Sequence, residues 1–218
     1  MCRKKKQFLS GLASFSLFLV GLSSLPLQAA EDQPHIEHLI KHWEDTPQQQ
    51  GLLTVALGEA EIARTHASYA AADLQNLGGM QLHAGHVLHA LDPGALPKGP
   101  GMGYGLIRAA EGVALHAQLA TEIESATDVI RVSGIMISSV GRNTAARALK
   151  AKELAQLVIE AGDAEAAAPY AAELQSLTNA IISGEDLNRD GKIVWYHMEG
   201  GLAVASTQIE IITAEQHR

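Results

Sequence analysis

The pattern of apolar and polar positions along the chain is typical of helices rather than strands. Alternating runs of β-branched residues are nearly absent, Ala, Leu, Glu and Gln are abundant, and aromatic residues make up only 4% of the chain. The sequence therefore predicts an all-α protein. Eight helices are expected, over residues 34–44, 50–77, 80–90, 104–125, 126–140, 143–161, 164–183 and 196–214.

Glycine and proline predict where several of these helices end. Gly78 and Gly79 are expected to end the second helix, and residues 92–103, which are rich in Pro and Gly, are expected to form the longest irregular connection. Gly162 and Asp163 supply a C-terminal glycine followed by an N-cap, so the long Ala-rich helices on either side are expected to pack antiparallel. We therefore expect a compact bundle of long antiparallel helices.

One weak internal repeat is visible. Residues 60–67 (AEIARTHA) resemble residues 110–117 (AEGVALHA), and each copy lies early in a predicted helix. The repeat predicts two related helical hairpins in the bundle core, with residues 83–87 after the first copy matched by residues 133–137 after the second. Chance similarity in an Ala-rich chain is the alternative.

The N-terminal residues predict export. A basic cluster at residues 3–6 precedes an apolar run over residues 8–25, and residues 27–29 suit cleavage. This arrangement is typical of a bacterial secretory signal peptide over residues 1–29, with an uncleaved membrane anchor as the alternative. A single domain over residues 30–218 is then expected in the periplasm or outside the cell, away from the membrane after cleavage.

Composition excludes several functional classes. Cys2 is the only cysteine and leaves with the signal peptide, which excludes thiolate metal sites, c-type haem attachment and a cysteine nucleophile. The chain has 16 Lys and Arg against 24 Asp and Glu, and four basic residues leave with the signal, so the mature net charge is −12. This charge argues against nucleic acid and anionic membranes as partners and suits binding of a divalent cation. Acidity that only keeps the protein soluble is the alternative.

A calcium-like loop lies near the C-terminus. Oxygen-bearing side chains occur at every second position, at Asp186, Asn188 and Asp190, before Gly191 allows a sharp turn. In an EF-hand-like loop these three would be positions one, three and five, and Lys192 would offer its backbone carbonyl at position seven. We predict that this loop binds a divalent cation, with calcium favoured. A polar turn that caps the following helix is the alternative.

The closing end of this loop is irregular. Position twelve normally supplies a bidentate carboxylate, but here it is His197, a poor ligand for a hard cation. Glu199, two residues further on, can close the site only if the chain bends differently. We therefore expect a modest affinity, in the range of about 0.1 to 1 mM, and a structural role in fixing the last helix.

Two resemblances are carried by these motifs. Residues 186–191 (DLNRDG) are similar to the calcium loops of EF-hand and dockerin-type modules. Together with residues 83–93 (HAGHVLHALDP), 101–105 (GMGYG) and 199–202 (EGGL), they resemble a group of uncharacterised secreted bacterial helical proteins. The second resemblance covers most of the mature chain and implies no known activity. Its members often have a carboxylate where this chain has His197.

Ten histidines supply candidate ligands for a transition metal. Two sets fall at helical spacings: His35, His38 and His42, and His83, His86 and His89. Neutral imidazoles at such spacings can hold zinc, copper or nickel. The first set is expected to lie on an exposed face of the N-terminal helix. The second is either a ligand set or a structural one, in which Asp92 orients a ring.

The repeat supplies a further pair of histidines. His66 and His116 occupy equivalent positions and are expected to face each other in the bundle, where they can ligate a b-type haem or a metal. A di-iron carboxylate site is disfavoured because Glu61 and Glu111 precede these histidines by five residues rather than three. Buried histidines that hydrogen-bond to backbone carbonyls are the alternative.

No catalytic arrangement is visible in the sequence, since the serines at 133, 138 and 139 lie in an apolar helix without a nucleophile elbow. The leading hypothesis is an exported, non-enzymatic helical protein that binds calcium, with the candidate ligands Asp186, Asn188, Asp190, Lys192 and Glu199. The alternative is a periplasmic transition-metal or haem-binding bundle, with the candidate ligands His66, His83, His86, His89 and His116. The sequence does not identify a protein partner.

Overall fold

The structure is a computed structural model that describes residues 33–216. This region contains seven α-helices, one short 3₁₀ helix and no strand, so the predicted all-α class is confirmed. The α-helices are α1 Pro34–Ile40, α2 Leu52–Ala71, α3 Leu77–Leu91, α4 Leu106–Glu122, α5 Asp128–Glu160, α6 Ala164–Ser183 and α7 Leu202–Gln216, and the 3₁₀ helix is Pro47–Gln49. The predicted signal peptide lies outside the described residues.

The longest helix, α5, is the centre of a compact bundle. It has 33 residues and packs against α3, α4, α6 and α7, while α2 packs against α3, α4 and α6. Alanine makes up much of the buried surface of α2, α4 and α5, and small side chains let neighbouring helices approach closely. Within the described residues, none of the helices has the length and apolar content of a membrane span.

One helix, α5, occupies the region where the sequence predicted two. The expected break falls at Gly141, but a Cβ at this position would lie 2.7 Å from the backbone nitrogen of Ala114 on α4. Ser138, one turn earlier, donates a hydrogen bond of 2.8 Å to the carbonyl of Ala114. Gly141 is therefore a close-packing residue, and α5 continues through it.

We expect Gly141→Ala to destabilise the protein although alanine has the higher helix propensity. The added Cβ overlaps the backbone of α4, which cannot move aside as a flexible side chain can. We expect a loss of about 1 to 3 kcal/mol in the free energy of unfolding, measured by chemical denaturation. Gly162→Ala is the matched control, because a Cβ there meets no atom within 4 Å. Equal stability of the two variants would contradict the close packing.

Gly78 and Gly79 begin α3 and do not end α2, which is a second correction. The preceding helix ends at Ala71, well before them. Asn76 is the N-cap of α3, and its side-chain oxygen accepts a hydrogen bond of 3.0 Å from the N–H of Gly79. A Cβ at Gly79 would lie 3.0 Å from the side-chain nitrogen of Asn76, so glycine leaves room for the cap.

The last helix, α7, begins at Leu202, which is later than predicted. His197 and Met198 have φ angles of 55° and 64°, in the left-handed region, so a right-handed helix cannot pass through them. Arg147 of α5 donates a hydrogen bond of 2.8 Å to the carbonyl of Gly200. The segment before α7 is therefore held as irregular backbone against the central helix.

Candidate metal centres

Six histidines form two groups of three in the folded protein. Within residues 33–216, these are the two groups of His, Cys, Asp or Glu whose ligand atoms all lie within 4.8 Å of one another. We call them the His116 triad, made of His35, His38 and His116, and the His66 triad, made of His66, His83 and His86.

The His116 triad joins α1 to α4. His35 and His38 are three residues apart on α1, so their rings project from one face of that helix. The Nδ1 atom of His116 lies 3.1 Å from the Nδ1 atom of each of them. His116 is only 6% exposed, because α1 packs over this part of α4.

The His66 triad joins α2 to α3 in the same way. His83 and His86 are three residues apart on α3, and His66 comes from α2. The Nδ1 atom of His66 lies 3.1 Å from that of His83 and 3.2 Å from that of His86. Each triad thus has a hub histidine, His66 or His116, that faces a pair of histidines on another helix.

Hydrogen bonding cannot satisfy both contacts of a hub nitrogen. A neutral imidazole nitrogen carries either one proton or one in-plane lone pair, so it makes one good hydrogen bond. A metal ion between the three nitrogens accepts all three lone pairs at once. Tetrahedral zinc with bonds of about 2.0 Å separates its ligands by about 3.3 Å, which is close to the 3.1 to 3.2 Å observed in both triads. Each triad can therefore hold a metal ion.

The donor atoms favour a transition metal. Neutral imidazole nitrogens suit zinc, copper and nickel, whereas calcium and magnesium prefer oxygen ligands. Three protein ligands leave a fourth coordination position, which holds water or substrate in catalytic zinc sites.

No protein-family model, curated protein or solved structure matches the chain. The two triads are therefore the basis for a functional inference.

Burial keeps the hub imidazoles neutral, which is the form that binds a metal. Burial, followed by repulsion from His38 and His35, lowers the pKa of His116 to about 4. Burial, followed by repulsion from His86 and His83, lowers the pKa of His66. At neutral pH neither hub has to lose a proton before it coordinates an ion.

The lowered pKa of His116 predicts how the stability of the metal-free protein depends on pH. This residue has a pKa of 6.5 in its ordinary state and of about 4 in the folded chain. Between these values the unfolded chain takes up a proton that the folded chain does not. The free energy of unfolding should therefore have its full value above pH 6.5 and decrease as the pH is lowered towards 4.

Urea denaturation of the metal-free protein at several pH values measures this slope. The His116→Gln variant lacks the titrating group and should show a shallower slope. If the slope is the same in both proteins, His116 does not supply it.

A different aromatic side chain lies against each triad. The partly buried ring of Trp43 has its centroid 4.5 Å from the ring of His116 and 4.7 Å from that of His38. The ring of Tyr69 lies 5.6 and 5.2 Å from two rings of the His66 triad, and this residue is 54% exposed. An indole therefore packs beside one site, and an exposed phenol packs beside the other.

The histidines of the two triads repeat along the chain. The order is His35 and His38, then His66, then His83 and His86, then His116. The second pair follows the first by 48 residues, and the second hub follows the first by 50. Each pair, together with the hub that follows it in the chain, forms one copy of the repeat. In the structure each pair faces the hub of the other copy. An approximate twofold relation between two units produces this exchange of partners.

This order revises the predicted repeat. The segments 60–67 and 110–117 each carry a hub, but residues 83–88 correspond to residues 35–40 and not to residues 133–137. Both of the corresponding segments have the pattern His-x-x-His followed by two aliphatic residues. That pattern is the sequence signal that identifies His35 and His38, which were absent from the predicted ligands.

The expectation of an exposed N-terminal histidine set is wrong for two of its three members. His42 is exposed beyond the end of α1, but His35 and His38 face His116. The difference arises because α1 packs against α4, so that only part of its surface faces solvent.

His89 shares the helical spacing of His83 and His86 but lies outside their triad. It is 7% exposed, and its Nδ1 atom lies 2.6 Å from the carbonyl oxygen of Leu96. A Cβ at Gly99 would lie 2.7 Å from the Cβ of His89, so the glycine-rich connection packs directly over this ring. His89 therefore has a structural role, but the carbonyl of Leu96 orients its ring, whereas Asp92 accepts a hydrogen bond of 2.7 Å from Lys152.

The expectation that His66 and His116 face each other is also corrected. They belong to different triads, and each faces a pair of histidines from another helix. Two separate three-nitrogen sites replace the hypothesis of one haem held between these residues.

The predicted calcium loop forms the connection between α6 and α7. Asp186 accepts backbone hydrogen bonds of 3.1 Å from Asp190 and 2.8 Å from Gly191, whose φ angle of 82° requires glycine. Asn188 accepts one of 2.8 Å from Asp190, which in turn accepts one of 2.9 Å from Lys192. The side-chain oxygens therefore fix the shape of a tight loop.

The side chain of Glu199 binds the backbone of this loop. It is fully buried, and its carboxylate oxygens accept hydrogen bonds of 3.4 Å from the N–H of Asn188 and 3.2 Å from that of Val194. Calcium coordination by the loop stays a prediction, with the candidate ligands Asp186, Asn188, Asp190, Lys192 and Glu199. A carboxylate oxygen that accepts a backbone hydrogen bond keeps lone pairs that can bind a cation.

Calorimetric titration with millimolar calcium tests that prediction. We expect heat of binding from the wild-type protein and none from Asp190→Ala, because the variant loses the ligand at position five. Null heats from both proteins would rule out calcium binding by the loop.

Proposed function

We propose that this protein binds transition-metal ions, one at each histidine triad, with zinc, copper or nickel as the ligand class. The observation that carries the proposal is the convergence of three Nδ1 atoms at two places, with hub contacts of 3.1 to 3.2 Å. In each triad, only one of the two hub contacts can be a hydrogen bond. A bound cation accounts for both contacts.

A bound ion would also stabilise the bundle. At the His116 triad it would tie α1 to α4, and at the His66 triad it would tie α3 to α2. The helix α1 has only seven residues, and a helix of this length depends on tertiary contacts. Metal bound to the folded state alone raises stability by mass action.

Equilibrium dialysis of the metal-free protein against zinc, followed by element analysis, tests the proposal. We expect two equivalents of zinc per chain and a higher melting temperature than in the presence of EDTA. Protein purified from its own host without a polyhistidine tag is a useful second sample for element analysis, because the protein is predicted to be exported. Only one equivalent of zinc at saturation would contradict an ion at each triad, and the absence of tightly bound zinc, copper or nickel would overturn the proposal.

A further inference from the structure

We propose that the two triads differ in their fourth coordination position, which is closed at the His116 triad and open at the His66 triad. The open position takes water or a small anion, and the closed one takes no exogenous ligand. This inference rests on the proposed function and assigns a distinct chemistry to each of its two sites.

Trp43 is held firmly against the His116 triad. The backbone N–H of Trp43 donates a hydrogen bond of 3.2 Å to the carbonyl of Gln50, and the backbone carbonyl of Trp43 accepts one of 2.7 Å from the hydroxyl of Thr46. Thr46 is only 5% exposed. These bonds close the chain after α1 into a turn that presents the indole to the rings of His38 and His116.

The indole excludes a fourth ligand more effectively than most side chains. Its only polar group is a single N–H donor, so it offers no lone pair to a metal. An ion at the His116 triad therefore has three nitrogens as ligands and an aromatic surface where water would otherwise bind.

The His66 triad is built differently. All three of its histidines are only partly buried, and solvent reaches the flanking Tyr69, which is 54% exposed. The phenol hydroxyl both donates and accepts hydrogen bonds. It can therefore support a water molecule or anion on the metal, which an indole face cannot do.

Cobalt(II) as a spectroscopic probe and azide as a small anion test this difference. The His66→Ala variant retains only the His116 triad, and the His116→Ala variant retains only the His66 triad. We expect azide to change the visible cobalt spectrum when only the His66 triad is present and to leave it unchanged when only the His116 triad is present. Adding Trp43→Ala to the His66→Ala variant should make the remaining site respond to azide.

The outcomes separate this inference from the function on which it rests. If neither single-triad variant binds cobalt, the proposed function fails. If each binds one equivalent and azide acts alike on both, or on neither, the sites do not differ and the inference is overturned. If the Trp43→Ala variant fails to fold, the comparison of the two single-triad variants still tests the inference.

Discussion

Replacing His116 with alanine is expected to lower zinc binding from two equivalents to one, and His66→Ala is expected to do the same. Each hub supplies the only ligand from its helix, so its loss leaves two histidines on a single face of the other helix. Loss even of a residue that only orients a ligand lowers metal affinity by about 10- to 100-fold, and loss of a direct ligand should exceed this range. The double variant should bind no zinc tightly.

His42→Ala is the matched control for the hub variants. His42 is an exposed histidine that lies close in sequence to His35 and His38 but takes no part in the triad. Zinc titration against a competing chelator should give two equivalents and wild-type affinity for this variant. An equal loss in His42→Ala and His116→Ala would show that zinc binds to surface histidines and not at the triads.

Glu59→Ala is expected to cause the largest loss of stability. Glu59 is fully buried on α2, and its carboxylate accepts hydrogen bonds of 3.1, 3.1 and 3.0 Å from the N–H groups of Met102, Tyr104 and Gly105. Its removal leaves three donors without a partner. Each buried unsatisfied donor costs about 1 to 3 kcal/mol, so the free energy of unfolding should fall by roughly 3 kcal/mol or more.

The same carboxylate supports the segments that carry the candidate metal sites. It fixes the connection that leads into α4, which carries His116, and it lies on the helix that carries His66. Zinc affinity should therefore fall in Glu59→Ala even though no ligand has changed. Glu59→Gln keeps an oxygen acceptor and should lose less stability. A change below about 1 kcal/mol in Glu59→Ala, measured by urea denaturation, would contradict the role given to this residue.

Local chemistry made part of the fold readable from the sequence. The helix α6 was predicted with its observed bounds, and Asp163 is its N-cap, as expected, with a side chain that accepts a hydrogen bond of 2.9 Å from Ala166. In the structure Gly184 ends the helix at a φ angle of 82°. Such signals depend only on neighbouring residues. Gly141 carried no comparable signal, because its role depends on the distant backbone of α4.

The two histidine triads were only partly predictable from the sequence, for a similar reason. Helical spacing shows which histidines share a face, and it correctly placed His83 and His86 together. It does not show which helix packs against that face. His35 and His38 lie 81 and 78 residues from His116, so their meeting depends on how α1 packs against α4.

Glutamates 59 and 199 illustrate the same limit. Both are fully buried, and both accept hydrogen bonds from backbone N–H groups of irregular segments. The sequence alone offered Glu199 only as a metal ligand. Their contacts with backbone several residues or several tens of residues away have no side-chain signature in the sequence.

The ¹⁵N NMR spectrum of the histidine side chains during zinc titration tests the central claim most directly. Coordination at Nδ1 shifts the signal of that nitrogen and fixes the proton on Nε2. The account predicts such shifts for the six histidines of the two triads, complete at two equivalents of zinc, with the signals of His42, His89 and His197 unchanged. Shifts confined to His42 and His197, or triad signals that do not respond, would contradict it.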